Sequence, residues 1–340
     1  MKGYEIVSPD GMYKCPDGTE KWWTEILIDK AYPLVSDRKF PVLIPSYNNP
    51  SPPIVNGLLS QMDEDYNYPI FVFVRNSQRE DYIKANKHPY VNIVSMDDRL
   101  IDSAGKAREW SLKWLYKNGY SHAFSFDDDA NGLGLTLRGY TGKGDPKSAF
   151  MTGIDKIAKV LAVWQLAMER LEQRFDNLML TGPYSAGFCW KAEYCQMDQS
   201  ALLYRGNLNQ MVCLNVNKIV ESGLHYYDNK ECGHEDIDLI LQGLEKGLLV
   251  ATIPYIWYST PPMDIQNFNH FGATIEARMK SQQELMIRKW GEFPYVTFRD
   301  KRGVAQVIPN FRKYRKDIGM EEYVIDIWND GGMLEDAVRN

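Results

Sequence analysis

Four short apolar runs, Phe40 to Ile44, Pro69 to Val74, Val91 to Val94 and Ala123 to Phe126, constrain this chain more than any other feature. Polar turns and helical stretches separate them. A helix with Leu58, Leu59 and Met62 follows the first, one near Tyr82 the second, and one over 103–118 the third. Continuous apolar strands alternating with helices predict an α/β fold with a largely parallel sheet of Rossmann type. In such sheets ligands bind beyond the carboxyl ends of the strands. Pro45-Ser-Tyr-Asn-Asn-Pro50, the loop from Arg75, and Asp127-Asp128-Asp129 would all open on that edge.

Three adjacent carboxylates repel one another and need a compensating cation if they are buried. On extended backbone Asp127 and Asp129 point the same way, where a hard ion such as Mg²⁺ or Mn²⁺ fits between them. Asp128 would face away and matter least. The competing reading is a solvated acidic loop. A second acidic cluster, Glu235, Asp236 and Asp238, opens a helix over 234–247. These residues either cap the helix dipole or supply a general base.

The composition, 44% hydrophobic and 25% charged, is that of a globular protein and argues against disorder. No run of about 18 apolar residues is present, so no membrane span is expected. The polar first thirty residues do not read as a signal peptide, which predicts a cytoplasmic protein. The five cysteines lack CxxC spacing and read as reduced thiols rather than a zinc site or disulfide frame. Residues 132–148, rich in glycine, predict a surface loop. Residues 151–175 form an amphipathic helix whose stripe from Ile154 to Phe175 belongs to the core, and strands follow near 178–180, 210–216 and 248–258.

The net charge of −6 hides a local excess of cations. Residues 288–316 hold nine Lys or Arg against two acids, interleaved with Trp290, Phe293, Tyr295, Phe298, Phe311 and Tyr314. Cations for phosphates and aromatic faces for bases suit a nucleic acid, with Arg299, Lys301, Arg302, Arg312 and Lys313 as DNA-binding candidates. The alternative is a solvated edge whose aromatics fill the core.

Ile44-Pro-Ser-Tyr-Asn48, Gly105-Lys-Ala-Arg-Glu109, Phe126-Asp-Asp-Asp129 and Gly233-His-Glu-Asp-Ile-Asp-Leu239 occur in the order found in family-2-type glycosyltransferases of the GT-A fold. The chain resembles that superfamily over roughly residues 40–260. Together with the Phe-Val-Arg75 ending of the second strand, these motifs most resemble the TET-associated glycosyltransferases. Those enzymes, found largely in bacteriophages, are thought to modify hydroxymethylated pyrimidines in DNA. Glu109 departs from the superfamily's usual Asn.

The resemblance implies a GT-A mixed sheet over 39–262, an N-terminal arm over 1–38 and a C-terminal acceptor-binding extension over 263–340. It implies a hexosyl- or pentosyltransferase that uses a UDP-sugar and Mn²⁺ or Mg²⁺ to modify hydroxymethylcytosine or a related base, with inversion. Ser46, Tyr47, Asn48 and Arg75 would hold the nucleoside, with Lys106 and Arg108 supporting the diphosphate. Asp127 would sit near ribose or the metal, Asp129 would ligate the metal, and Asp236 would be the base, with Glu235 and Asp238 as alternates. Tyr258 stands where many relatives place a metal-binding His, and His270 is the nearest substitute unless it is structural. Competing readings are a GT-A enzyme for a polysaccharide or other non-DNA acceptor, a non-catalytic DNA-binding protein and a nucleotidyltransferase.

Overall fold

The structure, a computed structural model, describes residues 38–320 apart from 60–67, 87, 136–156, 186–200, 203–209, 227–233, 261–274 and 302–303, with short pieces at either end. Strands β1 (Val42–Pro45), β2 (Ile70–Arg75), β3 (Val91–Met96) and β4 (His122–Phe126) fall where the apolar runs predict. Helices α1 (Arg79–Ala85) and α2 (Ala104–Lys117) connect them. Where a helix is expected after β1, Ile54–Leu58 form a π-helical turn; Met62 lies outside the described residues.

β1 pairs in parallel with β2 and β4, and β2 with β3, giving a parallel half-sheet ordered β3-β2-β1-β4. The second half is mixed, as the GT-A resemblance implies. It contains β5 (Gly132–Leu135), β6 (Leu178–Ser185), β7 (Met211–Asn215) and β8 (Leu249–Ser259). β7 runs antiparallel between β4 and β6, β6 pairs in parallel with β8, and β5 lies antiparallel on β8. Residues 132–135 are therefore buried strand rather than surface loop; the rest of that expected loop lies outside the described residues. Gly132 is required there, because an added Cβ would lie 2.2 Å from Ser259 Oγ and 3.1 Å from the Trp257 ring.

Helix α3 (Ile157–Arg174) crosses the sheet with the predicted stripe inward, Leu161, Trp164, Met168 and Leu171 having no exposed surface. Trp164 packs against Phe124 and Phe126, and its indole N–H donates to Thr181 at 2.9 Å. Its neighbour Gln165 is also fully buried. Gln165 accepts the Phe40 N–H at 3.1 Å and donates to the Arg38 carbonyl at 2.7 Å, satisfying the backbone just before β1. Helix α4 (Val216–Glu221) follows β7, and α5 (Glu235–Glu245) leads into β8.

Past the described part of the chain after β8 come α6 (Ile275–Trp290), the hairpin β9 (Val296–Lys301) with β10 (Val304–Pro309), and α7 (Phe311–Asp317). Trp290, Phe311 and Tyr314 are at most 4% exposed and belong to the same apolar cluster as the sheet. Residues 324–325 pair with 201–202, which pair with β8 at the sheet edge. The Cys213 thiol is free and buried, and burial pushes its pKa up, so it packs as an apolar group. No helix among the described residues is long and apolar enough to cross a membrane.

Replacing Gln165 with Leu removes the partners of the buried Phe40 N–H and of the Arg38 carbonyl. We expect a loss of roughly 2–4 kcal/mol in urea denaturation. An unchanged midpoint would show that water replaces the amide.

Candidate active site

The carboxyl ends of β1, β2 and β4 enclose a cavity of about 330 Å³. Ser46, Tyr47, Arg75, Arg108 and all three aspartates line it. Tyr47 is 45% exposed at the mouth, with the Arg75 guanidinium 4.6 Å from its ring centroid. That stacked pair offers a flat, polarisable face to a planar ligand. Asn48 and Lys106 do not line this space. Asn48 has a positive φ of 54° and bonds Gln78 through its side chain, while Lys106 pairs with Asp102 at 2.9 Å.

The aspartates are not on extended backbone, which corrects the same-face inference. β4 ends at Phe126, and the Ala130 N–H donates to the Asp127 carbonyl at 3.2 Å, closing a turn that sends each carboxylate to different partners. Asp128, expected to matter least, organises the loop after β1. It accepts from the Ser46 hydroxyl at 2.5 Å and the Asn49 amide at 3.3 Å. Ser46 Oγ in turn lies 2.7 Å from the buried Tyr82 hydroxyl, which accepts the Asn49 N–H at 3.0 Å. Burial raises the Asp128 carboxyl, and the Ser46 and Asn49 donors pull it back. Sequence reading missed Tyr82, whose helix carries no motif.

Asp127 turns inward. Arg108, projecting from α2, binds Asp127 through Nη2 and Glu235 through Nε at 3.1 Å. Arg108 is therefore committed to two carboxylates rather than free for a diphosphate. Ser103 caps the helix, accepting the Lys106 N–H, and buried Gly105 and Ala107 let its first turn approach the sheet. Burial raises Asp127, against the lowering effect of Arg108; the arginine itself is held well above its ordinary value by Asp127 and Glu235, although burial opposes this.

The single guanidinium thus joins the two acidic clusters. At the start of α5, His234 sits in the left-handed region with φ 75°, and its carbonyl accepts the Asp238 N–H at 2.9 Å. Burial, reinforced by Glu235, pushes Asp236 up to about 7. Tyr226 and Tyr258 are buried near this carboxylate; burial pushes Tyr258 up to about 12 and Tyr226 higher still. Tyr258, in place of a metal-binding His, faces the fields of Asp127 and Asp236. Glu109 accepts the Tyr226 N–H at 2.8 Å and pairs with Lys113 at 2.8 Å.

Asp238, an alternate base by sequence, is only 2% exposed and is engaged by Trp290, Lys289 and Gln242. That withdraws it from acid–base chemistry. Asp129 is exposed, and no ion pair engages it among the described residues. Burial and the Asp128 charge raise its pKa. No group of three or more His, Cys, Asp or Glu side chains is placed to hold an ion among the described residues. The open donors at this corner are oxygens and no cation pairs with Asp129 among the described residues, which is the donor chemistry a hard divalent cation takes; substrate phosphates and water would complete its shell. His270 lies outside the described residues.

The basic segment corrects another expectation. Trp290, Phe293, Tyr295 and Tyr314 pack on one another at centroid distances of 5.0–5.3 Å; Trp290, Phe311 and Tyr314 are core residues rather than faces open to bases, while Phe293, Tyr295 and Phe298 are partly buried against them. Arg288, Arg312, Lys313 and Lys316 remain exposed. Arg299 and Lys301 lie on β9, whereas Arg302 is outside the described residues.

Arg108→Met would leave two partly buried carboxylates, Asp127 and Glu235, without their shared cation. A loss of about 3–5 kcal/mol is expected in chemical denaturation. Stability within 1 kcal/mol of the parent would mean that the carboxylates take up protons instead.

No curated protein matches this chain in sequence. Among solved structures, S. aureus TarS (residues 1–349) is similar at 11% identity and a TM-score of 0.40, over 75% of this chain and 72% of its own. A mycobacterial protein is similar at 11% identity and 0.42, over 89% and 94%. GalNAc-T7, solved with UDP, GalNAc and Mn²⁺, is similar at 11% identity and 0.37, over 84% and 55%. In sequence, residues 41–263 match the model of the TET-Associated Glycosyltransferase family, about two-thirds of the chain; the protein belongs to that family and is a glycosyltransferase.

Proposed function

We propose that this glycosyltransferase moves a sugar from a UDP-sugar to the hydroxymethyl oxygen of hydroxymethylcytosine or a related pyrimidine in DNA, with inversion. The observation that carries this reading is the Arg108 bridge. Through Glu235 it ties the helix turn that carries Asp236, a carboxylate of raised pKa, to a nucleotide-sized cavity edged by exposed Asp129. In this reading Tyr47 and Arg75 stack the uracil, and Ser46 holds the loop through Asp128. Asp129, with Asp127 beside it, would hold Mn²⁺ or Mg²⁺, which when bound offsets the charge on the diphosphate.

Asp236 takes the proton of the acceptor hydroxyl as its oxygen bonds to the anomeric carbon. The bond from that carbon to the diphosphate breaks, and UDP leaves with the electron pair. The buried side chains of Tyr226 and Tyr258 exclude water from the base. Exposed Arg288, Arg312, Lys313 and Lys316 suit a phosphate backbone, and the base would be flipped or already unpaired. The burial of the aromatics in this segment favours, as the second reading, an acceptor other than DNA.

The test uses Mn²⁺, a panel of UDP-sugars, and DNA with or without hydroxymethylcytosine, followed by digestion and nucleoside mass spectrometry. A pentose or hexose mass on the modified base is expected. UDP release with no nucleoside gaining mass would overturn the DNA acceptor and leave the transferase. Asp236→Asn should lower transfer by about 10²–10⁴-fold while UDP binding by calorimetry persists.

The pH dependence has a definite sign. A base must be ionised, so kcat should fall as pH drops through about 7. Stability should run the opposite way. Folded Asp236 keeps a proton up to about 7, whereas its unfolded form releases it near the ordinary value of 3.8. Folding is therefore weakened as pH rises through that window. Denaturation midpoints at pH 5.5 and 8 should show this slope in the parent and a smaller one in Asp236→Asn.

A further inference from the structure

Asp238 is almost fully buried one helical turn beyond His234, and its carboxylate is held from both sides. Trp290 donates its indole N–H to Oδ1 at 2.7 Å, and Lys289 reaches the same oxygen at 2.7 Å and Oδ2 at 2.8 Å. Gln242 donates to Oδ2 at 2.6 Å from within α5. The other end of α5 is also gripped, because the buried Tyr314 hydroxyl donates to the Leu248 carbonyl at 3.1 Å, just after the turn that ends the helix. Both grips come from residues beyond 263, where the family match ends.

The two contacts also continue into the site. Gln242 donates to the His225 carbonyl at 2.8 Å and accepts the His225 N–H at 3.3 Å. The next residue, Tyr226, donates its backbone N–H to Glu109 of α2. Just after Trp290, where α6 ends, Gly291 leaves room for the Ile287 carbonyl, to which its N–H donates at 2.7 Å; an added Cβ would lie 2.5 Å from that oxygen.

We infer that Lys289 and Trp290 are positioning residues for sugar transfer, holding through Asp238 the helix turn that presents Glu235 and Asp236. A buried carboxylate with three donors fixes one geometry, because each lost donor leaves charge unanswered in a dry site. Neither residue touches the cavity, so the effect falls on the base and spares the donor pocket. Misplacing a reacting group by about 1 Å is enough to cost about 10²-fold in rate. The inference rests on placing the base on α5, as proposed above.

The test compares Trp290→Phe, which keeps the ring and loses the donor, with Lys289→Met and Lys289→Arg in the full chain. Trp290→Phe and Lys289→Met should lower kcat by about 10–100-fold, with KM for the UDP-sugar and the calorimetric Kd for UDP within about twofold of the parent. Lys289→Arg should recover most of the rate. Amide hydrogen exchange over residues 236–239 should quicken in the two impaired variants while α3 stays protected. Unchanged kcat and exchange would overturn the inference, as would equal losses of UDP affinity and kcat. Full activity in Asp236→Asn would instead remove the base assignment, and the exchange data would still report whether α5 is held.

Discussion

One buried guanidinium governs this site. Arg108 leaves the first turn of α2, and the two carboxylates it meets come from the end of β4 and the start of α5. Removing Arg108 in thought leaves Asp127, Glu235 and Asp236 repelling one another in a poorly hydrated pocket. The loop, the turn and the helix would then have reason to move apart. With it, charge that would be costly to bury is confined, and Asp129 stays exposed at the cavity edge for a cation. Ion pairs of this kind contribute little net stability, but they fix which carboxylate faces which partner.

The carboxylates differ because their surroundings differ. Asp128 is consumed by the loop after β1, Asp127 by Arg108, and Asp238 by the end of α6. Asp129 and Asp236 are left with the fewest fixed donors, one at the cavity mouth and the other in the interior. Chemically similar groups can thus take distinct tasks within one small volume.

Much of the fold was legible because β1, β2 and β4 are buried on both faces and read as unbroken apolar runs. The stripe of α3 was legible because apolar residues recurring with a period near 3.6 mark one buried face of a helix. The Asp triplet was legible as a site, but its internal division was not. That division depends on a turn starting one residue after the strand, and alternation cannot foresee where a strand stops. Tyr82 and Trp290 were missed or misread for a related reason. Their meaning lies in a partner 36 or 52 residues away, and the local sequence around each is that of any core aromatic. The burial of the aromatics at 290–314 shows the same limit, since a cation-and-aromatic composition fits a nucleic-acid surface and a capping module equally well.

The span of these contacts bears on how the chain is made. Arg108 finds Glu235 across 127 residues, Phe40 finds Gln165 across 125, and Asp238 waits a further 52 for Trp290. During vectorial synthesis the parallel half-sheet can form early, yet α5 must emerge before its anchors in α6 and α7 exist. For that interval the nascent chain holds a carboxylate meant for the interior with nothing to receive it. A chain that ended between 240 and 290 would therefore keep the cavity at the ends of β1, β2 and β4 and leave α5 without its anchors.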